Sequence, residues 1–570
     1  MAKWVVSAKS ADFQGISNRF HIDPVIARII RNRDILGEKE IDLYLNANLS
    51  HMHSPYLLKD IERAAEKIIE AIAEKKKIRV IGDYDVDGIC ASYILKEGLK
   101  ALAADVDVRV PHRIKDGYGL NESLIEEAKN AGIEVVITCD NGIAAKEAIA
   151  YANSQGMTVV VTDHHEVPFE MDDEGNKHYQ LPPAYAVVNP KQEDCHYPFS
   201  GICGAMVAYK LIQVLYDKNK KEVPENFLEM AAFATICDVM ELKDENRIAV
   251  KYGLLSMKNT KNAGLRALME VNEIKKENLS PYHIGYICGP CINATGRLDV
   301  ADRAIKLVCA KKFEDAVVIA RELKDLNEQR KDMTLQGVEQ AKEYILANHM
   351  ENDDVLVVYL PDCHESIAGI IAGRIKEEYY RPTIVLTNGE EDVKGSGRSI
   401  EAYNMYEKLS NCKEYFIKFG GHKMAAGLSL KKENIEPLRK KLNEESMLTK
   451  EDLEEKIVID VPMPINYVTG KLIEQLDVLE PFGVGNHKPV FAQKGIKVLS
   501  EQRVGKDKNV GKYVISDGLC KREMIYFGDL DAFSECYKAN NNMAIVYYPT
   551  INEYRNEKSI QIVLNAYKEA

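Results

Sequence analysis

Short runs of β-branched residues that end in carboxylates, separated by helical stretches, constrain this chain more than any other feature. KIRVIGDYD reads as a buried strand running into Asp83, Asp85 and Asp87. GICASYILKEGLKALAA follows as a helix. DVDVRVP, EVVITCD, MTVVVTD and AYAVVNP are further short strands, most of them separated by stretches such as ESLIEEAKNAG and AKEAIAYANSQG. Strand and helix in alternation predict a mostly parallel, doubly wound sheet. Ligands bind such sheets just beyond the carboxyl ends of the strands. There the strand at 134–139 delivers Asp140, Asn141 and Gly142, and the strand at 157–162 delivers Asp163, His164 and His165. The strand at 106–110 delivers Pro111, His112 and Arg113 to the same edge.

Charge balance then narrows the chemistry. Asp85 and Asp87 are two residues apart and approach one point if the backbone turns, while Asp140 and His164 come from neighbouring strands. Asp238, in FATICDVME, ends an apolar helix that caps the same edge. Four carboxylates in one cleft repel each other unless cations compensate them. An oxygen-rich set with a single His favours Mn²⁺ or Mg²⁺ over zinc. Two such ions would balance the four Asp, with Asp140 as a bridge, and a two-ion centre suits in-line phosphoryl displacement. His165 is left to contact substrate or a phosphate oxygen, and Asp163 to orient one of the two histidines. Clustering of these groups on one edge outweighs the plainer readings of an Asp-x-Asp turn and a helix cap.

The rest of the chain divides by pattern. Residues 1–75 read as a helical extension, 76–300 as the catalytic α/β domain and 301–350 as charged connector helices. A second α/β pattern covers 351–450, with VLVVYL, IAGIIAGRIKEEYY, PTIVLT and KGSGRS, and 455–570 reads as an all-β module of barrel type. The net charge of -13 argues weakly against a nucleic-acid partner. The last module, however, holds equal numbers of basic and acidic residues, so the acidic excess lies upstream. Twelve scattered cysteines suit a reducing, cytoplasmic setting. No apolar run is long enough to span a bilayer, and the start lacks a signal-type apolar core.

GDYDVDG, CDNG, TDHH and ICDVM, in this order, resemble the four motifs of the DHH phosphoesterase superfamily. VPHRIKDGYGLN, NPKQEDCHYPF, GPCINATGRLD, GSGRS, FGGHKMAAG and LEPFGVGNHKPVF extend the likeness to its RecJ-type single-strand-specific exonucleases, over nearly the whole chain. The resemblance implies a DHH domain facing a DHH-associated domain across a cleft, and a C-terminal OB-fold. It implies 5′→3′ degradation of single-stranded DNA to mononucleotides with Mn²⁺ or Mg²⁺, in DNA repair and recombination, beside a helicase or single-strand-binding protein. Carried over by motif, Asp85, Asp87, Asp140, His164 and Asp238 would hold metal. Arg113, Arg297, Ser396 and Arg398 would hold the DNA backbone or its 5′-phosphate, and Gly420, Gly421 and His422 form the glycine-glycine-histidine motif. Two positions depart from the pattern. Ile81 stands where many superfamily members carry His, leaving Asp83 or water to complete one metal's shell, and Cys291 replaces a basic residue.

Other features have plainer readings. Cys288 and Cys291 have redox-motif spacing but precede Asn293 and Arg297 rather than opening a thioredoxin-like helix, so they read as ordinary thiols. Cys195, His196 and Cys203 lack a fourth ligand for zinc. RVGKDKNVGK, at 503–512, reads equally as a solvated hairpin or as a loop tracking a nucleic-acid backbone. Tyr513 and Tyr526 read mainly as barrel core.

Overall fold

The computed structural model describes the chain except residues 1, 113–115, 117–118, 173–174, 299–300, 506–507, 541 and 555–556. It forms two compact units, one of residues 53–240 and 252–455, the other of 2–52, 241–251 and 456–570.

Five parallel strands build the first sheet: β1 (Lys77–Ile81), β2 (Asp105–Arg109), β3 (Val135–Cys139), β4 (Thr158–Thr162) and β5 (Ala186–Val188). Their order is β2-β1-β3-β4-β5. Central strands are buried along nearly their whole length, as a sheet covered by helices on both faces requires. Chain order reverses between β1 and β3, and this is the switch point where doubly wound sheets bind ligands. Helix α1 (Val86–Ala101) starts there with Asp85 as its N-cap, accepting from the backbone N–H groups of Asp87 and Gly88 at 2.9 and 3.1 Å. Helices α2 (Gly204–Lys218) and α3 (Glu225–Cys237) pack beside α1 and are apolar almost all round.

A π-helical turn, His283–Cys288, leads into α4 (Gly289–Leu298). The connector is dominated by the long α5 (Phe313–Ala347). A mixed sheet follows, with β6 (Leu356–Tyr359), α6 (Glu365–Tyr379), β7 (Thr383–Asn388), β8 (Val393–Arg398), β9 (Phe416–His422) and β10 (Ala425–Leu430). Its order is β9-β10-β8-β7-β6, parallel only between β6 and β7.

The second unit is a barrel of β11 (Phe491–Val504), β12 (Val510–Ser516), β13 (Lys521–Tyr526), β14 (Met543–Tyr554) and β15 (Glu557–Glu569). Pairing of β11 with β14 closes it and removes the open edges. The helical stretch read at 1–75 is divided in the structure. Residues Lys3–Val6 pair in parallel with Lys456–Ile459, and Ile26, Ile29, Ile30, Ile41 and Leu45 share one apolar core with Phe491, Tyr513 and Tyr547 of the barrel. The amphipathic helix Pro24–Asn32 has its buried stripe on that core, so burial of apolar surface decides where the segment belongs.

Candidate active site

The switch-point edge gathers the acids that the sequence placed there. Asp83, Asp85 and Asp140 offer carboxylate oxygens within 4.8 Å of one another, and ligand atoms, carboxylate oxygens and ring nitrogens together, lie as close in Asp87, His164 and Asp238 and in Asp140, His164 and His165. Asp140 and His164 each belong to two of these groups, so the three form one continuous cage. His164 Nε2 lies 3.1 Å from Asp140 Oδ1, 3.5 Å from Asp87 Oδ2 and 3.7 Å from Asp238 Oδ2. Among the described residues, no other group of His, Cys, Asp or Glu is gathered in this way.

Backbone groups hold Asp85, Asp87 and Asp163 in place. Asp87 is buried, and its two oxygens accept from the N–H groups of Gly204 and Ala205 at 2.6 and 2.7 Å. These open α2, so the helix N-terminus stabilises the carboxylate charge. Residue 204 has to be glycine, since a Cβ there would lie 2.7 Å from Asp140 Cβ. Asp140 itself has a left-handed backbone, φ 60°, a strained conformation that concentrates at functional sites. Asp163 accepts from the N–H groups of Ile143, His164 and His165 and binds His165 Nδ1 at 2.7 Å. Its oxygens are thereby occupied, which makes Asp163 a positioning residue for His165.

Electrostatics follow from burial. Burial first, then Asp87, Asp85, Asp83 and Asp238, push Asp140 well above the usual carboxylate range. Burial, then neighbouring acids with Asp87 foremost, raise Asp85 and bring Asp238 to about 8. Burial lowers His164. For His165 burial also acts downward, but the hydrogen bond and charge of Asp163 outweigh it and hold the imidazole at about 9. Protons or cations must therefore neutralise the cage. Asp140 Oδ1 is buried and without a hydrogen-bond partner, a rare condition that a coordinated cation relieves. The donor set, oxygens with one or two imidazoles, fits Mn²⁺ or Mg²⁺.

Sequence reasoning missed several supporting groups. Asn189 Nδ2 donates to the His165 carbonyl at 3.0 Å while its Oδ1 accepts from Lys191 N–H at 2.8 Å. Lys191 pairs with Glu166 at 2.9 Å and, from the rim, acts to lower the pKa of both His164 and Asp238. Asn293 Oδ1 accepts from Val86 N–H at 3.1 Å, tying α4 to the segment between Asp85 and Asp87. The Asn-Pro-Lys and Ile-Asn-Ala strings were the available signals.

Of the other expected site residues, Ser396, Arg398, Gly420, Gly421 and His422 lie on the second sheet. Ser396 is in register with Gly427 and Gly427 with Gly420, while Arg398, Ala425 and His422 form the parallel row, with Gly421 opposite Ala426. Nothing lies within 4 Å of a Cβ built at Gly420 or Gly427, so this row is open. Arg398 Nη2 lies against the first turn of α6, 2.9 Å from a Cβ built at Gly369. Arg297 reaches the same turn from α4, donating to the Ser366 carbonyl. Arg113 lies outside the described residues.

Cys288 and Cys291 are buried free thiols, and the Cys291 thiol donates to the Ile287 carbonyl at 3.2 Å. On the strands flanking the barrel loop, Arg503 of β11 pairs with Asp531 and Lys512 of β12 with Glu523. Tyr513 is fully buried edge-on to Phe533, and Tyr526 packs on the same ring.

This sheet, its carboxylate cage and the second domain define a phosphoesterase of the DHH class. The family model for the DHH family, N-terminal domain, matches residues 77–235, that for the DHHA1 domain matches 352–446 and that for the RecJ OB domain matches 459–566. The Bacillus subtilis (strain 168) single-stranded-DNA-specific exonuclease RecJ is 32% identical over 569 residues, 99% of this chain and 70% of that protein. The protein of the same name from Salmonella typhimurium is 30% identical, over 95% of this chain and 96% of its own. The crystal structure of RecJ with Mn²⁺ from Thermus thermophilus shares the fold, with a TM-score of 0.83 at 24% identity over 100% of this chain and 80% of that one. The chain belongs to the RecJ family.

Proposed function

We propose that this protein is a metal-dependent exodeoxyribonuclease that degrades single-stranded DNA from the 5′ end and releases mononucleotides, in DNA repair and recombination. The cage carries the reading: four carboxylates and His164 converge at the switch point, with Asp83 completing the group around Asp85 and Asp140. Asp83, Asp85, Asp87, Asp140, His164 and Asp238 would hold Mn²⁺ or Mg²⁺, two ions in all. Bound there, the ions supply water activation and charge neutralisation at phosphorus.

The chain's own groups do the rest. Asp87, fixed by the α2 N-terminus, and Asp140, fixed by its strained backbone, keep the cage in one geometry before substrate arrives. That preorganisation lowers the reorganisation cost of reaction. Asp163 orients His165, whose ring would face the charge that develops on the phosphate oxygens. Ser396, Arg398 and Arg297 hold the strand's 5′-phosphate through charge-assisted hydrogen bonds, and the open row at Gly420 and Gly427 admits the backbone. Water adds to phosphorus, the bond from phosphorus to the 3′-oxygen breaks, and that oxygen takes a proton. The products are a 5′-mononucleotide and a strand that again begins with phosphate.

The barrel supports a polymeric substrate. Free thiols at all twelve cysteines support a reducing, cytoplasmic setting. Among the described residues no helix is long and apolar enough to cross a membrane. A helicase or single-strand-binding protein that presents such strands would be the partner. Digestion of single-stranded and duplex DNA, labelled at either end, with and without Mn²⁺, tests the reading. A 5′ label released first as mononucleotide, from single strands and only with metal, is expected. Release of the 3′ label first, or equal attack on duplex, overturns it.

A further inference from the structure

In the segment that packs on the end of α3 the chain exposes two tyrosines. Tyr282 and Tyr286 are 60% and 71% exposed, and their rings stack on each other with centroids 5.2 Å apart and planes inclined by 24°. Exposing two large rings together forgoes the burial that normally places tyrosine in a core or interface. Tyr286 lies within the π-helical turn His283–Cys288, and Tyr282 immediately precedes it. Such turns are rare and occur mainly at functional sites.

The location gives the pair a purpose. Ile284 and Cys288, on the opposite side of the turn, are buried. The turn rests on the last residues of α3: the Cys237 thiol reaches the Ile284 carbonyl, and a Cβ at Gly285 would touch Ile236 at 3.4 Å. The next residue is Asp238, a member of the cage. Val239 follows with φ 56°, a left-handed conformation that is costly for a β-branched residue, and 65% exposed. From the turn the chain continues into α4, whose Asn293 binds the backbone between Asp85 and Asp87 and whose Arg297 reaches the first turn of α6. The aromatic pair therefore sits at one end of a segment that touches the cage and ends at the proposed 5′-phosphate site.

We infer that Tyr282 and Tyr286 form a stacking platform for nucleobases of the single strand entering the cage. This inference rests on the proposed single-strand activity and adds a base-side contact to it. A flat aromatic face accepts any base, because every base has a π-face, and so grips the strand without reading sequence. It also distinguishes single strands from duplex, whose bases are already stacked and cannot lie on a protein ring.

The test compares the full-length protein, with Mn²⁺, on oligo-dT and on a strand of equal length carrying abasic sites in its first several positions. Tyr282→Ala/Tyr286→Ala is expected to raise KM for oligo-dT about tenfold, by the usual worth of base–aromatic stacking, with kcat little changed. On the abasic strand the variant and wild type are expected to agree, and Tyr282→Phe/Tyr286→Phe is expected to behave as wild type on both. Equal KM for wild type and the double alanine variant on oligo-dT overturns the platform, as does an equal loss on both strands. Failure of the wild type to degrade oligo-dT overturns the parent reading instead, and the platform with it.

Discussion

The two halves of the proposed site are built on opposite principles. At the cage, Asp83, Asp87, Asp140 and Asp163 are buried and Asp85 and Asp238 half-buried, and backbone N–H groups fix three of the side chains: Gly204 and Ala205 on Asp87, Gly88 on Asp85, Ile143 on Asp163. On the second sheet the row from Ser396 to Gly420 is open, and a side chain is missing where the substrate backbone would pass. The first arrangement stores electrostatic tension until cations arrive. The second stores none and offers only access and cationic side chains. Substitutions should therefore act on chemistry at the cage and on binding at the row.

The largest effect is expected at the centre of the cage. Asp140→Ala should lower hydrolysis with Mn²⁺ by about a thousandfold or more, as loss of a preorganised catalytic group does. The same change should leave the metal-free protein at least as stable as wild type, because it removes one of the mutually repelling acids. Thermal unfolding without metal checks this, and a clear loss of stability would mean that Asp140 is structural.

Two glycine substitutions then set the halves against each other. Gly204→Ala forces a Cβ to within 2.7 Å of Asp140 Cβ, between two backbones that cannot retreat. It should cost about 1–3 kcal/mol of stability, as overpacking does, and disable metal binding. Gly427→Ala meets nothing within 4 Å and should leave stability within about 0.5 kcal/mol, as for surface changes, while raising KM. Equal outcomes for the pair would erase the distinction between cage and row. A smaller effect is expected for Arg398→Ala. It should reduce the preference for a 5′-phosphorylated end by about tenfold, within the range for one charge-assisted contact. Competition between phosphorylated and unphosphorylated strands measures it, and equal preference in variant and wild type would remove Arg398 from the phosphate site.

Much of the cage was legible because strand periodicity is local and because carboxylates at strand ends are marked by the chain itself. Asp85, Asp87, Asp140 and His164 could be grouped as strand ends of one sheet, while Asp238 joined them from the end of an apolar helix and through the motif resemblance. The finer division of labour was not. Whether Asp83 or water completes the Ile81 side depends on a backbone turn, and the structure sets Asp83 beside Asp85 and Asp140. Asn189 and Asn293 act through side-chain hydrogen bonds to backbone that no periodicity announces. The place of residues 2–52 was hidden for another reason: Lys3–Val6 pairs with a strand more than 450 residues away, and local pattern carries no such register. One consequence is practical. Removing 455–570 also strips the core partners of Ile26, Ile29 and Ile30, so that truncation is not a clean test of the barrel's role.

As the proposed cation site, the cage is held in tension by its own acids. Asp85, Asp140 and Asp238 are raised in the folded, metal-free protein, Asp238 to about 8. The stability linked to such groups is full below the ordinary carboxylate value and is lost as pH rises through their folded values. Metal should replace the protons they hold, so Mn²⁺ should raise Tm more at pH 8 than at pH 5.5. The most direct measurement is calorimetric titration of Mn²⁺ at pH 7 in two buffers of different ionisation enthalpy. Net release of protons on binding, abolished or sharply reduced in Asp140→Ala, is predicted. Binding without proton release, or release unchanged in Asp140→Ala, would contradict the account.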